Sequence, residues 1–494
     1  MAINAGGSLN SVPSSRKQTL SNNYLDFTSG ANDWAQQYLP DLMEKEAEVF
    51  GPRTISGFLS KIGAEEAMTA DQVVWSEQGR LHLSYTGEIT DATTGGGVVT
   101  IGNDIDGLAA GANHGIRKND TVVIASSQGT VKALVTAVAD AAVTCAPYGE
   151  ANLDTTFDAS QGANSVTILV YGSEFKKGDN YDGGSSRGAN EPSFKSFSNK
   201  PIIMKDYYEV SGSDASRIGW VEVSTENGQG GYLWYLKAES DTRARFNDYL
   251  EMSMLESVKG GAAGGYTGGV ADVTDDHLYG SNSGDVTGTQ GLFNAIEERG
   301  NVTTGVTGVN AATDLAEFDA ILAEFDKQGA IEENMMFVNR ATSLAIDDML
   351  ASMNSYGAGG TSYGVFDNSE DMALNLGFSG FRRGSYDFYK SDMRYLNDKA
   401  TRGSINDAYA AGAIRGMFIP AGSSSVYDQT VGASIKRPFL HVRYRASQTD
   451  NRRMKSWVTG SVGAATSALD AMQLHFLSER CLVTQGANNF MLMK

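Results

Sequence analysis

The sequence predicts an α+β chain with a small β-barrel or sandwich inserted into it, on three observations. The first is the run Trp234–Val258, which meets no Gly or Pro until Lys259-Gly260-Gly261, where a helix has to stop. Phe246, Tyr249, Leu250, Met254 and Val258 recur at three- and four-residue steps, so they fall along one side of that helix. Glu239 with Arg243 and Asp241 with Arg245 stand four apart, acid first, the favourable order for pairs on a solvated face. At ~1.5 Å per residue, about 25 residues make a rod of roughly 37 Å. The second observation is a block of short β-type segments between residues 91 and 189. The third is the alternation of strand and helix patterns over 290–430, which suggests a compact α/β region.

Residues 1–30 are polar and aperiodic; such an arm cannot bury its own apolar surface, and a neighbouring subunit is the simplest thing to hold it. A short helix follows over Asp33–Phe50, with Trp34, Leu39, Leu42 and Val49 as apolar contacts and Pro40 interrupting it. Asp71–Trp75 and Arg80–Tyr85 read as strands, the second alternating clearly. Gly95-Gly96-Gly97 opens the inserted block. Its segments are Val98–Ile101, Thr121–Ala125, Thr130–Val138, Ala141–Cys145 and Ser165–Tyr171, with Asn119-Asp120 and Gln128-Gly129 as turn signals. Strand-like sequence resumes at Ile202–Val210 and Gly219–Val223.

Beyond the long helix come a Gly-rich loop, Gly260–Gly269, and an acidic one, Asp272–Asp285. Leu315, Phe318, Ile321, Leu322 and Phe325 mark an amphipathic helix, Met335–Val338 a buried strand, and Ala341–Met353 a second helix. Tyr386–Tyr389 and Gly416–Ile419 add strands. The tail carries a long strand at Phe439–Tyr444, another at Trp457–Ala464, and a last segment, Cys481–Met493.

Composition narrows the function. The 494-residue chain has 57 Gly against 8 Pro and 41% apolar residues, which argues for many turns in a folded chain and against wholesale disorder. A net charge of −20 argues against a dedicated nucleic-acid binder, whose phosphate contacts need clustered Lys and Arg. From Lys436 onward the balance reverses, nine basic residues against three acidic, a net of +6. That asymmetry suits either complementary contact between subunits or a basic surface paired within its own chain. Cys145 and Cys481 have no metal-ligand spacing and read as small buried hydrophobes. With no secretory signal and no run of about 18 apolar residues, the expectation is a soluble protein made in a cytoplasm.

No dinucleotide fingerprint, Walker A loop or H-E-x-x-H helix occurs. The five histidines are scattered singly, and His441 and His475, set among apolar residues, read as satisfied core or interface side chains. Asp275-Asp276-His277, with Asp272 and Asp285, has metal-ligand types but not the spacing of a calcium loop; it reads as a solvated acidic loop. Asp179–Gly183 is half a calcium loop at most. The sequence therefore nominates no catalytic residue, no cofactor-binding residue and no metal ligand.

In the order arm, extended excursion, long helix, α/β region and returning strand, the chain resembles the tailed-phage major capsid protein of the HK-ninety-seven type. Asp71–Arg80 is similar to the ascending part of the E-loop, and 234–258 to the long spine helix of the peripheral (P) domain. Met335–Arg340 with its following helix is similar to the axial (A) domain, and Gly416–Pro420 to an A-domain strand. The opening Met1–Phe27 is most similar to crAss-like phages. The resemblance implies an N-terminal arm and short helix over 1–50, an E-loop region over 51–90 and 190–233, and the inserted β domain over 91–189. It places the P domain at 234–289 and 431–494 and the A domain at 290–430.

It further implies a viral structural protein and no enzyme. Such a subunit self-assembles as pentamers and hexamers into the icosahedral head shell of a tailed double-stranded DNA bacteriophage. Its place would be the virion capsid, after assembly in the host bacterial cytoplasm. Its partners would be itself, the portal, auxiliary or head-fibre capsid proteins, and a separate scaffolding protein where assembly needs one. Neither sequence-specific nucleic-acid binding nor a membrane is implied. The alternatives are an encapsulin-like nanocompartment shell protein, disfavoured by the arm and the β insertion, and a β-rich phage surface or adhesin protein, disfavoured by the α/β region.

Overall fold

The computed structural model describes residues 65–78, 83–105, 107, 109–157, 164–178, 194–213, 223–224, 230–231, 233–259, 288–353, 380–408, 412–428, 433–462 and 465–494. The arm and short helix expected over 1–50, most of Gly219–Val223, and the loops 260–269 and 272–285 lie outside these residues. The architecture is mixed α/β, in two compact units. One runs from Ser76 to Phe197; the other holds the chain before and after it. Among the described residues, no helix is long and apolar enough to cross a membrane.

Strands β1 (Glu65–Met68) and β2 (Val73–Gln78) come first. Six strands then make a closed barrel: β3 (Ser84–Asp91), β4 (Val98–Asp104), β5 (Asp120–Ser126), β6 (Gly129–Ala139), β7 (Ala142–Pro147) and β8 (Asn164–Ser173), joined in the order β3-β4-β7-β6-β5-β8. Every neighbouring pair is antiparallel, and closure leaves no edge to be capped. Alternate residues point inward: Val122 and Ile124, Val131, Ala133 and Val135, Val143 and Cys145, Val166 and Ile168 are all buried, and Leu153 and Phe157 join them from a connecting turn. That period of two is what the pleat imposes.

Five of these strands overlie the segments read from the sequence. The sixth does not. The pattern placed a strand at Arg80–Tyr85 before the insertion, whereas β3 starts at Ser84 and pairs with both β4 and β8. A partner so distant in the chain leaves no local trace. The Gly95-Gly96-Gly97 turn joining β3 to β4 has φ of +68°, +102° and +142°, and a Cβ on Gly96 would stand 2.6 Å from the Cys145 carbonyl oxygen, so glycine is required there. Asp91 starts the turn by accepting the Thr93 and Thr94 amides at 2.9 and 3.0 Å. The Thr94 hydroxyl and these amides hold its carboxyl below the usual carboxylate range.

The strands leading into and out of the barrel, β2 and β9 (Phe194–Asn199), pair with each other. Replacing 79–193 by a short Gly-Ser linker therefore joins two strands that are already neighbours. The shortened chain is expected to keep a cooperative urea transition and its near-ultraviolet circular dichroism; loss of all folded material would show that the barrel is needed for folding.

Two sheets organise the larger unit. After β10 (Ile202–Ser211) and a short pair, β11 (Val223–Ser224) with β12 (Gly230–Gly231), come helices α1 (Leu233–Glu256) and α2 (Leu292–Arg299). Next are β13 (Asn301–Thr303), α3 (Ala311–Gln328), β14 (Glu333–Val338), α4 (Arg340–Met353), β15 (Gly380–Arg383) and β16 (Tyr386–Asp392). Helical turns α5 (Arg394–Asn397) and α6 (Arg402–Ala408) precede β17 (Gly416–Pro420) and the hairpin β18 (Ser423–Asp428) and β19 (Ala433–Pro438). The chain ends with β20 (Leu440–Arg445), β21 (Lys455–Gly460), β22 (Ala471–Thr484) and β23 (Met491–Met493).

The first sheet has the order β1-β20-β22-β10, with β21 also on β22; the second runs β13-β23-β17-β14-β16-β15. In the second, both faces are buried. Met336 and Val338, Phe418, and Met491 and Met493 face the helices α3 and α4. Phe337, Met417, Ile419 and Leu492 face the other way, into a core shared with α1, α2 and β20. Strands buried on both faces read as unbroken apolar runs, which is why Met335–Val338 and Gly416–Ile419 stand out in the sequence. Phe318 on α3 meets Phe381 and Phe388 at ring distances of 5.5 and 5.2 Å, contacts worth ~0.5–1.5 kcal/mol each beyond their buried area. Asn310 caps α3 by accepting the Thr313 amide at 2.9 Å, and Gly329, at φ +63°, ends it.

Candidate assembly surface

Helix α1 lies on one face of the first sheet. Ala238, Thr242, Phe246, Leu250 and Met254 form its buried stripe, one residue every four. Phe246 stacks on Phe476 of β22 at 6.0 Å, and Leu250 joins Leu474 and Met204 beneath it. Two expectations for this helix change. Tyr249 is 45% and Val258 61% exposed, the first because it sits to the flank of the stripe, the second because it follows the last turn. Glu239 pairs with Arg243 at 3.3 Å as expected, and Arg245 reaches Asp206 of β10 at 3.0 Å. An ion pair across two elements ties helix to sheet, which a pair within the helix does not do. At the far end Glu256 takes Arg402 at 2.6 Å and the Tyr395 hydroxyl at 2.8 Å; burial and then that carboxylate push the Tyr395 phenol up.

The other face of the sheet carries the opposite register positions. Tyr207 of β10 stands across from His475 of β22, which stands across from Trp457 of β21. The three rings stack in a row, Tyr207 to His475 at 6.1 Å and His475 to Trp457 at 5.2 Å. Thr459 hydrogen-bonds His475 Nε2 at 2.7 Å, and the Lys455 ammonium lies 5.9 Å from the Trp457 ring. His475 is thus satisfied, but on an open face rather than in the core. Tyr207 is 57% exposed and Ile203, four residues before it on the same face, 54%. Among the described residues no strand pairs with the outer edge of β10. The result is a stacked aromatic row beside an exposed apolar residue at the edge of the sheet as described, features that attract another chain.

The basic tail resolves in favour of pairing within the chain. Glu66 of β1 holds Arg443 at 2.8 Å, and Glu65 holds Arg453 and, at 3.8 Å, Arg480. Asp71 pairs with Arg445, which also meets Glu479 at 2.7 Å; Glu479 takes Arg452 at 2.7 Å as well. Lys455 pairs with Asp450 at 2.7 Å and Lys494 with Glu297 at 2.5 Å. Glu65, Glu66, Asp71 and Glu297 come from outside the tail and offset four of its six excess positive charges, and the Glu66–Arg443 pair ties the parallel strand β1 to β20. The side chains of Lys436 and Arg437 lie outside the described residues.

The chemistry-bearing groups are dispersed. Among the described residues no three His, Cys, Asp or Glu side chains are placed to hold one metal ion. The acidic loop with Asp275 and His277, and Asp179–Gly183, lie outside them. So does Gly184-Ser185-Ser186-Arg187-Gly188, which has the spacing of a serine-nucleophile turn. Cys145 and Cys481 are buried, and burial pushes both thiols up to about 12, so neither is a thiolate at neutral pH. His441 is buried in the sheet core, with Nδ1 3.1 Å from the Pro438 carbonyl oxygen.

No family model matches the chain, and no curated protein matches it. Among solved structures, the chain is similar to one from Microbacterium phage Oxtober96, at 9% identity and a TM-score of 0.37, over 95% of this chain and 99% of that one. It is similar to the capsid structure of the cyanophage P-SCSP1u at 8% identity and a TM-score of 0.32, over 64% of this chain and 80% of that one. A third is the asymmetric unit of the bacteriophage PhiM1 mature capsid, at 8% identity and a TM-score of 0.32, over 65% and 78%.

Proposed function

We propose that this chain is a shell-forming subunit, the major capsid protein that encloses the genome of a tailed double-stranded DNA phage. One observation carries the reading: a sheet covered by its own helix α1 on one face and carrying the exposed Tyr207–His475–Trp457 row on the other, beside a β10 edge on which no strand pairs among the described residues. A tile that closes a shell has to leave such surfaces for further copies of itself. The occupant is a second copy of the chain, as pentamers and hexamers of the shell require. An acidic subunit, at −20 overall, also suits a wall that faces packed DNA without adhering to it.

In this reading α1 is the spine helix of a P domain built on the first sheet, and the second sheet with α3 and α4 is the A domain. The last strand, β23, then leaves the P domain, where the sequence put it, to pair with β13 and β17. Residues 51–83 and 190–233 form the E-loop region interrupted by the barrel, which takes 84–90 as part of β3, and 1–50 the arm. Portal, auxiliary or head-fibre proteins, and a separate scaffold where needed, complete the set of partners.

The test is expression of the chain, alone and with candidate scaffolding and portal genes, followed by negative-stain microscopy. Closed shells or flat hexamer sheets are expected; a monomer under every assembly condition overturns the reading. The Tyr207→Lys, Trp457→Lys double variant is expected to fold, since both sites lie on the open face, yet not to assemble. Losing ~2 kcal/mol per contact raises the assembly threshold about 30-fold. Assembly at the wild-type threshold would place the contact elsewhere.

A further inference from the structure

We infer that the barrel carries a binding site for a neutral saccharide, in the cleft bounded by Tyr148, Tyr171, Lys132 and Glu174. It is a shallow depression of about 560 Å³, open to solvent, and Thr121 and Gly172 line it as well. Four strands build it side by side. Tyr148 follows β7, its amide donating to the Lys132 carbonyl of β6 at 3.0 Å; Thr121 belongs to β5, Tyr171 and Gly172 to β8.

A bulge shapes the site. Thr121 pairs with Gly172 and Val122 with Val170, so Tyr171 is the extra residue on β8. Bulges re-aim side chains and recur beside functional sites. A Cβ on Gly172 would come 3.1 Å from the Thr121 hydroxyl, so a side chain there would crowd Thr121. The two tyrosines are 51% and 53% exposed, unusual for large aromatics on a barrel that already has a full core.

Their polar neighbours are arranged in turn. The Tyr148 hydroxyl donates to the Glu174 carboxylate, and Glu174 is held by its own amide donating to the Asn119 carbonyl at 3.0 Å. That hydrogen bond pushes the Tyr148 phenol up to about 12, so the ring stays a neutral donor across the physiological range. An acceptor fixed at Glu174, an ammonium at Lys132 and two exposed rings present what a sugar ring needs: flat apolar platforms for its C–H faces, and a charged acceptor and donor for neighbouring hydroxyls.

Charge selects among ligands with hydroxyl groups. Residues 76–197 hold eight Lys and Arg against fourteen Asp and Glu, a net of −6, and Glu174 sits in the cleft itself. Nucleic acid, sulfated and sialylated glycans are repelled; a neutral hexose or N-acetylhexosamine chain is not. The inference is independent of shell formation, since it concerns one unit and is read from the unassembled chain.

The experiment probes an array of neutral oligosaccharides with the full-length chain; sialylated glycans, sulfated glycans and single-stranded DNA serve as separate arms. Retention on at least one neutral series is expected. Tyr148→Ala and Tyr171→Ala each lower it about tenfold, the loss of one stacking platform, and Tyr389→Ala, an exposed tyrosine in the other unit, leaves it unchanged. Near-ultraviolet circular dichroism of each variant reports that the fold is intact. No retention on any neutral series, retention by the acidic arms alone, or undiminished binding by a variant carrying both Tyr148→Ala and Tyr171→Ala overturns the inference.

Discussion

Leu250→Asp is expected to leave almost no folded subunit. Leu250 is 3% exposed, at the centre of the contact between α1 and the first sheet, against Phe246, Leu474, Phe476 and Met204. The substitution removes a side chain from a packed site, which by itself costs ~2–5 kcal/mol. It also forces a carboxylate into a place with no partner, at several kcal/mol more. Together these match the whole stability of an ordinary domain, ~5–15 kcal/mol. Leu250→Ala, which makes the cavity without the charge, is expected to fold with a lowered urea midpoint. Wild-type yield and midpoint for the Asp variant would mean that α1 does not pack as described.

Glu479→Ala is expected to cost about 3 kcal/mol, the low end of what breaking a buried ion pair costs. Glu479 is 4% exposed and bridges Arg445 and Arg452. Its removal leaves two guanidinium groups without that shared anion. Both are partly exposed and can recover some hydration, which sets the value at the low end. The buried position also predicts a weak salt dependence, because mobile ions screen exposed pairs far more than buried ones. Urea titrations at low and high salt check both points. A loss below about 1 kcal/mol, the ordinary range of a surface pair, would show that the network is solvent-screened and does not hold β1 in place.

Elements whose signal is local were legible. The stripe on α1, the buried runs of β14 and β17, and the helix marked by Phe318, Ile321 and Phe325 all follow from periodicity that a short window captures. The C-terminal strand was legible only in part. Cys481–Met493 reads as one apolar segment, yet β22 begins at Ala471 and ends at Thr484, and Met491–Met493 belongs to the other sheet. The sequence Ser478-Glu479-Arg480 breaks the apolar pattern, though all three residues are buried. Ser478 donates to the Arg453 carbonyl at 2.6 Å, and Arg480 donates to the same carbonyl at 2.7 Å and to the Ser478 hydroxyl at 2.9 Å. Burial lowers the Arg480 guanidinium's pKa, opposed by Glu65. Polar residues can be interior only when partners arrive from elsewhere, and those partners are invisible along the chain.

By itself, then, the sequence determined the long helix, five of the barrel's strands and the α/β alternation, because each rests on contacts or repeats within a few residues. Tertiary structure alone decided that β3 belongs to the barrel and that Arg245 reaches Asp206. It alone paired tail arginines with Glu65 and Glu66 of β1 and set Tyr207, His475 and Trp457 in one row. Each of these depends on which strand lies beside which, and strand pairing is settled by the burial and register of segments far apart in the chain.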